Sequence, residues 1–282
     1  MQTLDLTGWS DFEGALQQIG DTQRERSARC GRTLRDPLFR GLGSSEWGLE
    51  TTLERFCRLE RCDALLGLLK YYEGIGKSKP AVETFSGRSW DEFPNHPKFE
   101  QRVGNNLADC PWLGTYLKEA PDLCEYLVYL RHHGFPSPLL DWSASPYVAA
   151  FFAFDSPPEG AKRVAVYAFL QDTIPGPSTS PHLFVVGPYV RSDPRHFLQQ
   201  GRYSMCIACD LGDTDYRFSP HESGVSNAMG PEGEMFKITI PVEERLTALK
   251  HLDLMNINAF SLFGSDDSLV RTIARRELLF RG

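Results

Sequence analysis

The chain has 282 residues, of which 41% are hydrophobic and 24% charged, and its formal net charge is −7. This composition is typical of a globular protein with a sizeable core. The acidic balance disfavours a broad electrostatic contact with nucleic acid, and the lack of an apolar run of 18 residues predicts that no segment crosses a membrane. Seven scattered cysteines and an N-terminus unlike a signal peptide favour a reducing, cytoplasmic location.

The first half of the chain predicts mainly helices. Residues 10–28 have apolar side chains at helical spacing behind Ser10 or Asp11 as the N-cap. Residues 37–43, "PLFRGLG", predict a short strand that runs into a glycine-rich turn. Helix is predicted again after Gly48, and residues 74–98, with their Gly, Pro and Ser, predict a segment that contains loop.

The second half alternates helices with strands. "DLCEYLVYLRHHG" predicts a helix that Gly134 ends, and "SPYVAAFFAFDS" a buried helix with Pro146 in its first turn. The core residues predicted for this second helix are Val148, Ala149, Phe151 and Phe152. "RVAVYAFL" predicts a buried strand. Further strands are predicted at "LFVVGPYV", "YSMCIACDL" and "EMFKITIP", followed by one or two helices. The pattern predicts an α+β fold with a mixed or antiparallel sheet, in which residues 1–34 form a helical addition to a domain at 35–282.

Arg40 lies at the end of the first predicted strand, beside a flexible Gly-Leu-Gly turn. An arginine in such a place is usually a surface residue. Alternatively, its planar guanidinium binds a phosphate or carboxylate with two hydrogen bonds, and the glycines let a ligand approach the backbone.

The segment "LRHHGFPSPLLDWSASPYVAAFFAF", residues 130–154, concentrates polar side chains before an apolar helix. His132 and His133 suit a helix C-terminus, and Trp142 is typical of packing. We place Asp141 at the entrance of the following helix, where it would orient His132 or Arg40 by a charge-assisted hydrogen bond. A helix end, a turn and a helix start within so few residues indicate a concave polar site that also includes Arg40.

The spacing of Cys206 and Cys209 is that of a zinc or redox pair, but zinc needs four ligands. We interpret them as two buried cysteines and predict no metal site.

Four ordered motifs resemble the FRG domain, a bacterial and phage family. They are "FRGLGSSEWGLETTLER", "HHGFPSPLLDWSASPYVAAFFAF", "RHFLQQGRYSM" and the segment from "KITIP" to "GSDDSLV". Two departures occur. Residues 131–134 read Arg-His-His-Gly where the family has Gln-His-Tyr-Gly, and residues 136–138 read Pro-Ser-Pro where it has Pro-Thr-Arg. The missing arginine at 138 weakens a phosphate-binding role there, for which Arg131 is the candidate replacement.

A second resemblance, to ADP-ribosyltransferases of the Arg-Ser-Glu type, implies a reaction. Arg40 would be the arginine that clamps the NAD pyrophosphate, and Ser143 of Ser143-Ala144-Ser145 would orient the ribose. Three residues compete for the third position: Gln200, Glu232 and Glu234. A glutamate there, Glu234 for example, would stabilise positive charge on the sugar, whereas Gln200 would supply no charge. The NAD contacts that we expect are Arg40, Gly41, His132, Trp142, Ser143 and Ser145.

Three hypotheses follow. The first is an NAD-consuming ADP-ribosyltransferase, a toxin or phage-defence effector that modifies a protein or nucleic acid and has an antitoxin or defence partner. The second is a silent nucleotide-binding sensor that uses the same pocket. The third is a nuclease or other hydrolase that uses His132, His133 and Asp141.

Overall fold

Strands from both ends of the chain meet in one sheet. The computed structural model describes residues 1–31, 33–106, 111–171, 181–187, 190–191, 193–208, 215–228 and 234–281. The strands within these ranges are β1 Gln2–Asp5, β2 Leu38–Leu42, β3 Leu140–Ser143, β4 Arg163–Leu170, β5 His182–Val186, β6 Gly201–Ala208, β7 Arg217–Phe218 and β8 Glu234–Pro241.

These strands form a mixed sheet in the order β1-β8-β4-β2-β3-β6-β5, with β7 beside β6. β1 runs parallel to β8, and the other described pairs are antiparallel. β2 thus lies in the middle of the sheet, between β4 and β3. The predicted α+β class is confirmed.

Helices cover the sheet and extend beyond it. The α-helices of the described residues are α1 Phe12–Cys30, α2 Thr52–Glu60, α3 Leu68–Ser86, α4 His96–Asn105, α5 Pro111–Glu119, α6 Pro121–His132, α7 Pro146–Asp155, α8 Pro194–Leu198, α9 His221–Ala228, α10 Arg245–Leu254, α11 Ala259–Phe263 and α12 Asp266–Arg275. Short 3-10 turns lie at Trp9–Asp11, Asp63–Leu66 and Val242–Glu244, and a π-helical turn at Arg276–Phe280. None of the described helices combines the length and the apolar character that a bilayer crossing requires.

β4 is buried on both faces, which explains its nearly continuous apolar sequence. Val164, Val166 and Ala168 pack in the cluster that contains the apolar side of α7. The intervening Ala165 and Tyr167 pack in a second cluster on the other face of the sheet, with Leu38, Leu49 and Trp142. The strand predicted at 163–170 is therefore a central one.

The N-terminal segment is joined to the same core. Phe12 and Ile19 of α1 are each 1% exposed and pack with α7 and β8. The segment also contains β1, which the sequence analysis missed because four residues carry too little pattern to indicate a strand. Residues 1–34 are thus more than a helical addition, and the boundary at residue 34 stays a prediction.

The loop predicted within residues 74–98 lies at residues 87–95, between α3, which tolerates Pro80 in its interior, and α4. Two further predictions were wrong in detail. Asp141 lies in β3 and not at a helix entrance, since Ser145 is the N-cap of α7. The C-terminal part forms three short α-helices instead of one or two.

Candidate functional site

A cavity of about 430 Å³ lies where β2 meets β3. The register between these strands consists of the pair Phe39–Ser143, beyond which the cavity opens. Its polar lining includes Arg40, Arg131, His132, Asp141, Arg195 and Tyr203. Its apolar lining includes Phe39, Leu42, Trp47, Ala149, Phe152 and Phe263. Arg40, His132, Asp141, Trp142 and Ser143, for which the sequence predicts one cleft, all line this cavity.

The carboxylate of Asp141 is held by Arg131. Nε of Arg131 donates to both carboxylate oxygens, at 3.2 and 3.1 Å, and Nη2 donates to Oδ2 at 2.5 Å. A third donor, Nη1, reaches Thr52 Oγ1 at 3.1 Å. Although burial raises the pKa of Asp141, the charge and hydrogen bonds of Arg131 outweigh it and lower the pKa. Asp141 is therefore an ionised, fixed carboxylate, and 42% of its side chain remains open to the cavity.

Arg40 contacts the main chain of β3 more closely than it contacts a carboxylate. Its Nη1 donates to the carbonyl oxygen of Asp141 at 2.7 Å and lies 3.9 Å from Asp141 Oδ2. The charge-assisted hydrogen bond predicted for the Asp141 carboxylate is donated by Arg131 instead. Burial lowers the pKa of Arg40 to about 10, so it stays charged at neutral pH. Within the described part of the chain its buried Nε has no hydrogen-bond partner, so its charge is incompletely matched.

Tyr203 joins two histidines. Its hydroxyl lies 3.0 Å from His132 Nε2 and 3.0 Å from His196 Nδ1, and its ring stacks on His196 at 5.5 Å. Burial lowers the pKa of His132 to about 4, so the imidazole is neutral at pH 7. His133 instead lies against the ring of Tyr129, with centroids 4.2 Å apart, and is exposed. This arrangement separates the two histidines that the hydrolase hypothesis pairs.

The serines and the tryptophan of "DWSAS" are engaged in the fold. Ser143 Oγ donates to the carbonyl oxygen of Gln199 at 2.8 Å and accepts from Ser145 N at 3.0 Å. Ser145 Oγ accepts from Val148 N at 3.3 Å, as the N-cap of α7. Trp142 Nε1 donates to Ser204 Oγ at 2.7 Å, and its side chain is buried. Ser143 and Trp142 also line the cavity, whereas Ser145 is not part of that lining.

Gly41 serves the packing of α7. A Cβ atom at this position would lie 1.8 Å from the carbonyl oxygen of Ala149 and 2.7 Å from Ala153 N. A side chain at position 41 is thus excluded by the backbone of α7, a reason for glycine that the sequence does not indicate. Gly41 also lines the cavity.

Of the three candidates for the third motif position, the two that the structure describes do not lie next to Arg40. Gln200 has a left-handed φ of 51° and accepts a hydrogen bond from Ala144 N through its carbonyl oxygen, outside the cavity lining. Glu234 begins β8, which is two strands away from β2 in the sheet. Arg40 pairs with Tyr167 of β4, which pairs with Lys237 of β8, and Glu234 precedes Lys237 by three residues. At ~3.3 Å per residue and ~4.8 Å per strand, the backbones of Arg40 and Glu234 are roughly 14 Å apart. Glu232 lies outside the described residues.

Other residues of the site escaped the sequence analysis. Arg195 and Tyr203 belong to the quoted motif "RHFLQQGRYSM", in which only the glutamine drew attention. Trp47, Phe152 and Phe263 bring aromatic rings from three separate segments, which no local pattern indicates.

The cysteines do not form a metal centre in the described residues. Cys206 is buried, as predicted, and Cys209 lies outside the described ranges. Over those ranges, no group of three or more His, Cys, Asp or Glu side chains is arranged to hold a metal ion.

The comparisons with known proteins give one match. The family model of the FRG domain matches residues 35–162, somewhat under half of the chain. The matched stretch runs from β2 through α7 and includes Arg40, Arg131 and Asp141. Neither the curated proteins nor the solved structures provide a match. Arg40 and Asp141 meet in one cavity and the family model covers both, so the stretch at residues 35–162 is similar to an FRG domain.

Proposed function

We propose that the cavity binds NAD and that the protein cleaves the bond between nicotinamide and ribose as an ADP-ribosyltransferase. The observation that carries this proposal is the meeting of guanidinium groups, a fixed carboxylate and aromatic rings in one cavity. Each of these chemistries suits a different part of a dinucleotide.

The guanidinium groups suit the pyrophosphate. Arg40, Arg131 and Arg195 line the cavity, whereas the nearby carboxylates are those of Asp141 and Asp193, the latter 3.1 Å from Arg195 Nε. The cluster therefore keeps an excess of positive charge. A planar guanidinium binds phosphate oxygens with two parallel hydrogen bonds, and a partly buried site strengthens the attraction.

Asp141 suits the reacting sugar. We assign it the role that the sequence analysis gave to Glu234, because its ionised side chain faces the cavity and is held by Arg131. When the bond between C1′ and the nicotinamide nitrogen breaks, the electron pair leaves with the ring and positive charge develops on the ribose. A carboxylate fixed beforehand stabilises that charge without rearranging. The acceptor oxygen then bonds to C1′ and loses its proton to solvent.

The test measures binding and turnover separately. Titration calorimetry with NAD should show binding, and chromatography of the same mixture should show released nicotinamide. Asp141→Asn should still bind NAD, while nicotinamide release should fall by about tenfold or more, the scale of one charged hydrogen bond. Its melting temperature, measured alongside, separates a folding defect from a catalytic one. Binding without release would favour the sensor hypothesis, and the absence of both would refute the proposal.

The acceptor is tested with labelled NAD, and the biological role is tested by expression in cells. Transfer of ADP-ribose from labelled NAD onto a protein or onto nucleic acid in a cell extract would identify the acceptor. Growth arrest on expression, relieved by a co-expressed partner, would support a toxin or phage-defence role. Growth unaffected by expression would count against that role and leave the NAD chemistry standing.

A further inference from the structure

We infer that Phe152 and Phe263 form a subsite for the nicotinamide ring and that Phe263, from the C-terminal helices, determines which ring the cavity accepts. The identity of the ring rests on the proposed function. The subsite itself is argued from the packing of α7 and α11.

Phe152 differs from its neighbours on α7. Phe151 and Ala153 are 1% and 0% exposed, whereas Phe152 is only partly buried and lines the cavity. The sequence analysis expected Phe152 inside the core with Val148, Ala149 and Phe151; the structure buries those three and not Phe152. An aromatic side chain left half-exposed inside a concave site is available for a ligand.

Phe263 completes the corner. Its ring centroid lies 5.9 Å from that of Phe152 at an interplanar angle of 90°. The perpendicular pair therefore presents a ring face beside a ring edge, the geometry in which a third flat ring can stack. The Arg271 guanidinium, whose charge is paired with Asp155 at 3.0 Å, covers the Phe263 ring at 5.8 Å from its centroid and helps to fix the ring orientation.

The short helix that carries Phe263 is held at both ends. Asn258 caps α11 by accepting from Ser261 N at 3.0 Å, and Ser261 Oγ accepts from Asn258 N at 3.0 Å. Near the other end, Gln199 Nε2 donates to the carbonyl oxygen of Leu262 at 3.1 Å. Because Gln199 also lines the cavity, this hydrogen bond connects the helix that carries Phe263 to the polar part of the site. A ring fixed in this way binds with less loss of entropy.

Charge directs the ligand within the cavity. Arg40, Arg131 and Asp141 come from β2, α6 and β3, whereas the aromatic pair comes from α7 and α11. The nicotinamide ring of NAD carries positive charge, which guanidinium groups repel and aromatic faces attract. NAD is thus expected to bind with its phosphates at the arginines and its nicotinamide ring at Phe152 and Phe263. Phe263 lies outside the matched stretch 35–162, so ring selection is contributed by the remainder of this chain.

The experiment compares two ligands and two phenylalanines of one helix. NAD and ADP-ribose, which lacks the nicotinamide ring, are titrated calorimetrically into wild type, Phe263→Ala and Phe260→Ala. Phe260 is 44% exposed on α11 and is not part of the cavity lining, so it is the matched control. Phe263→Ala should weaken NAD by about tenfold, the scale of one stacked ring, and leave ADP-ribose unchanged. Phe260→Ala should leave both ligands unchanged.

Two results would overturn the inference. If Phe263→Ala weakens NAD and ADP-ribose equally, or Phe260→Ala acts like it, the corner does not hold nicotinamide, while nucleotide binding stands. If wild type binds neither ligand, the proposed function fails together with the inference. Circular dichroism checks folding, and Phe263→Leu, which keeps an apolar side chain but removes the flat ring, should reproduce the selective loss if the alanine variant unfolds.

Discussion

Gly41 of β2 and Ala149 of α7 lie so close that a single methyl group between them would stand 1.8 Å from a carbonyl oxygen. The atoms in the way belong to the backbone of α7, so they cannot yield as a flexible side chain would. This contact fixes the strand that carries Arg40 against the helix that carries Phe152. The close packing at Gly41 thus fixes the position of the polar part of the cavity relative to the aromatic part.

The first prediction concerns that contact. Gly41→Ala should lower the free energy of unfolding by about 3 kcal/mol or more, because overpacking against main chain forces β2 and α7 apart. Urea unfolding measures the effect. Gly14→Ala is the control, since no atom lies within 4 Å of its added Cβ on α1, and it should stabilise by ~0.5–1 kcal/mol through helix propensity. A Gly41→Ala variant as stable as wild type would show that the close contact is absent.

The second prediction concerns the ion pair of Arg131 with Asp141. Asp141→Asn removes the negative charge that pairs with Arg131 and that lies 3.9 Å from Arg40 Nη1. We expect a loss of roughly 1.5–3 kcal/mol in the free energy of unfolding, the range for a hydrogen bond to a charged group. A double-mutant cycle with Arg131→Gln should give a coupling energy of about 1 kcal/mol or more. Additive losses would contradict a direct pair.

The third prediction is a loss of stability in acid. Burial lowers the pKa of His221 to about 3 and that of His132 to about 4, against a usual value of 6.5. Below pH 6.5 the unfolded chain takes up protons at these histidines, whereas the folded protein does not. The contribution of these neutral histidines to the free energy of unfolding is therefore complete above about pH 6.5. The free energy of unfolding should fall steadily as the pH decreases toward 4.

Denaturant unfolding at half-unit steps between pH 7.5 and 4 measures that slope. Carboxylates such as Asp141, whose pKa is lowered, act in the same direction at the acid end. His221→Gln separates the contributions, because it removes one titrating group and leaves the carboxylates. Its curve should be flatter between pH 6.5 and 4, whatever its absolute stability. An identical slope would mean that His221 is protonated alike in the folded and unfolded states.

The fourth prediction compares adjacent phenylalanines of α7. Phe151 is 1% exposed in the core, so Phe151→Ala should cost about 3–5 kcal/mol through the cavity it creates. Phe152 is only partly buried and faces an existing cavity, so Phe152→Ala should cost clearly less. Thermal melts of the two variants decide the order. Equal losses would place Phe152 in the core, as the sequence analysis assumed.

Strong patterns in the sequence predicted the main elements. The apolar run of β4, the spacing in α1 and the Ser145-Pro146 start of α7 each carry local signals that packing reinforces. β3 gave no such signal, because its four residues are too few to show a strand pattern. They form a strand only because β6 pairs with them. Long-range pairing therefore decided where Asp141 lies, and local capping rules misplaced it.

The candidate site was only partly predictable for a related reason. Arg40 and Asp141 stand in recognisable motifs, so their meeting in one cavity could be anticipated. The partner of Asp141 could not, because Arg131 reaches it from the end of α6 across a turn. Phe263 is farther still along the chain, and its place in the cavity depends on how α11 packs. Both contacts depend on how separate elements pack against each other, which no local sequence pattern indicates.

The parallel pairing of β1 with β8 has a consequence for how the chain is made. Gln2 is opposite Phe236, so roughly 230 residues are synthesised before the first strand meets its neighbour. At ~5–20 residues per second, β1 emerges from the ribosome and waits for roughly 10 to 45 seconds. Through that time Phe12 and Ile19 lack the β8 side of their core. Until β8 is made, the apolar side chains of the N-terminal segment are thus available for binding by a chaperone.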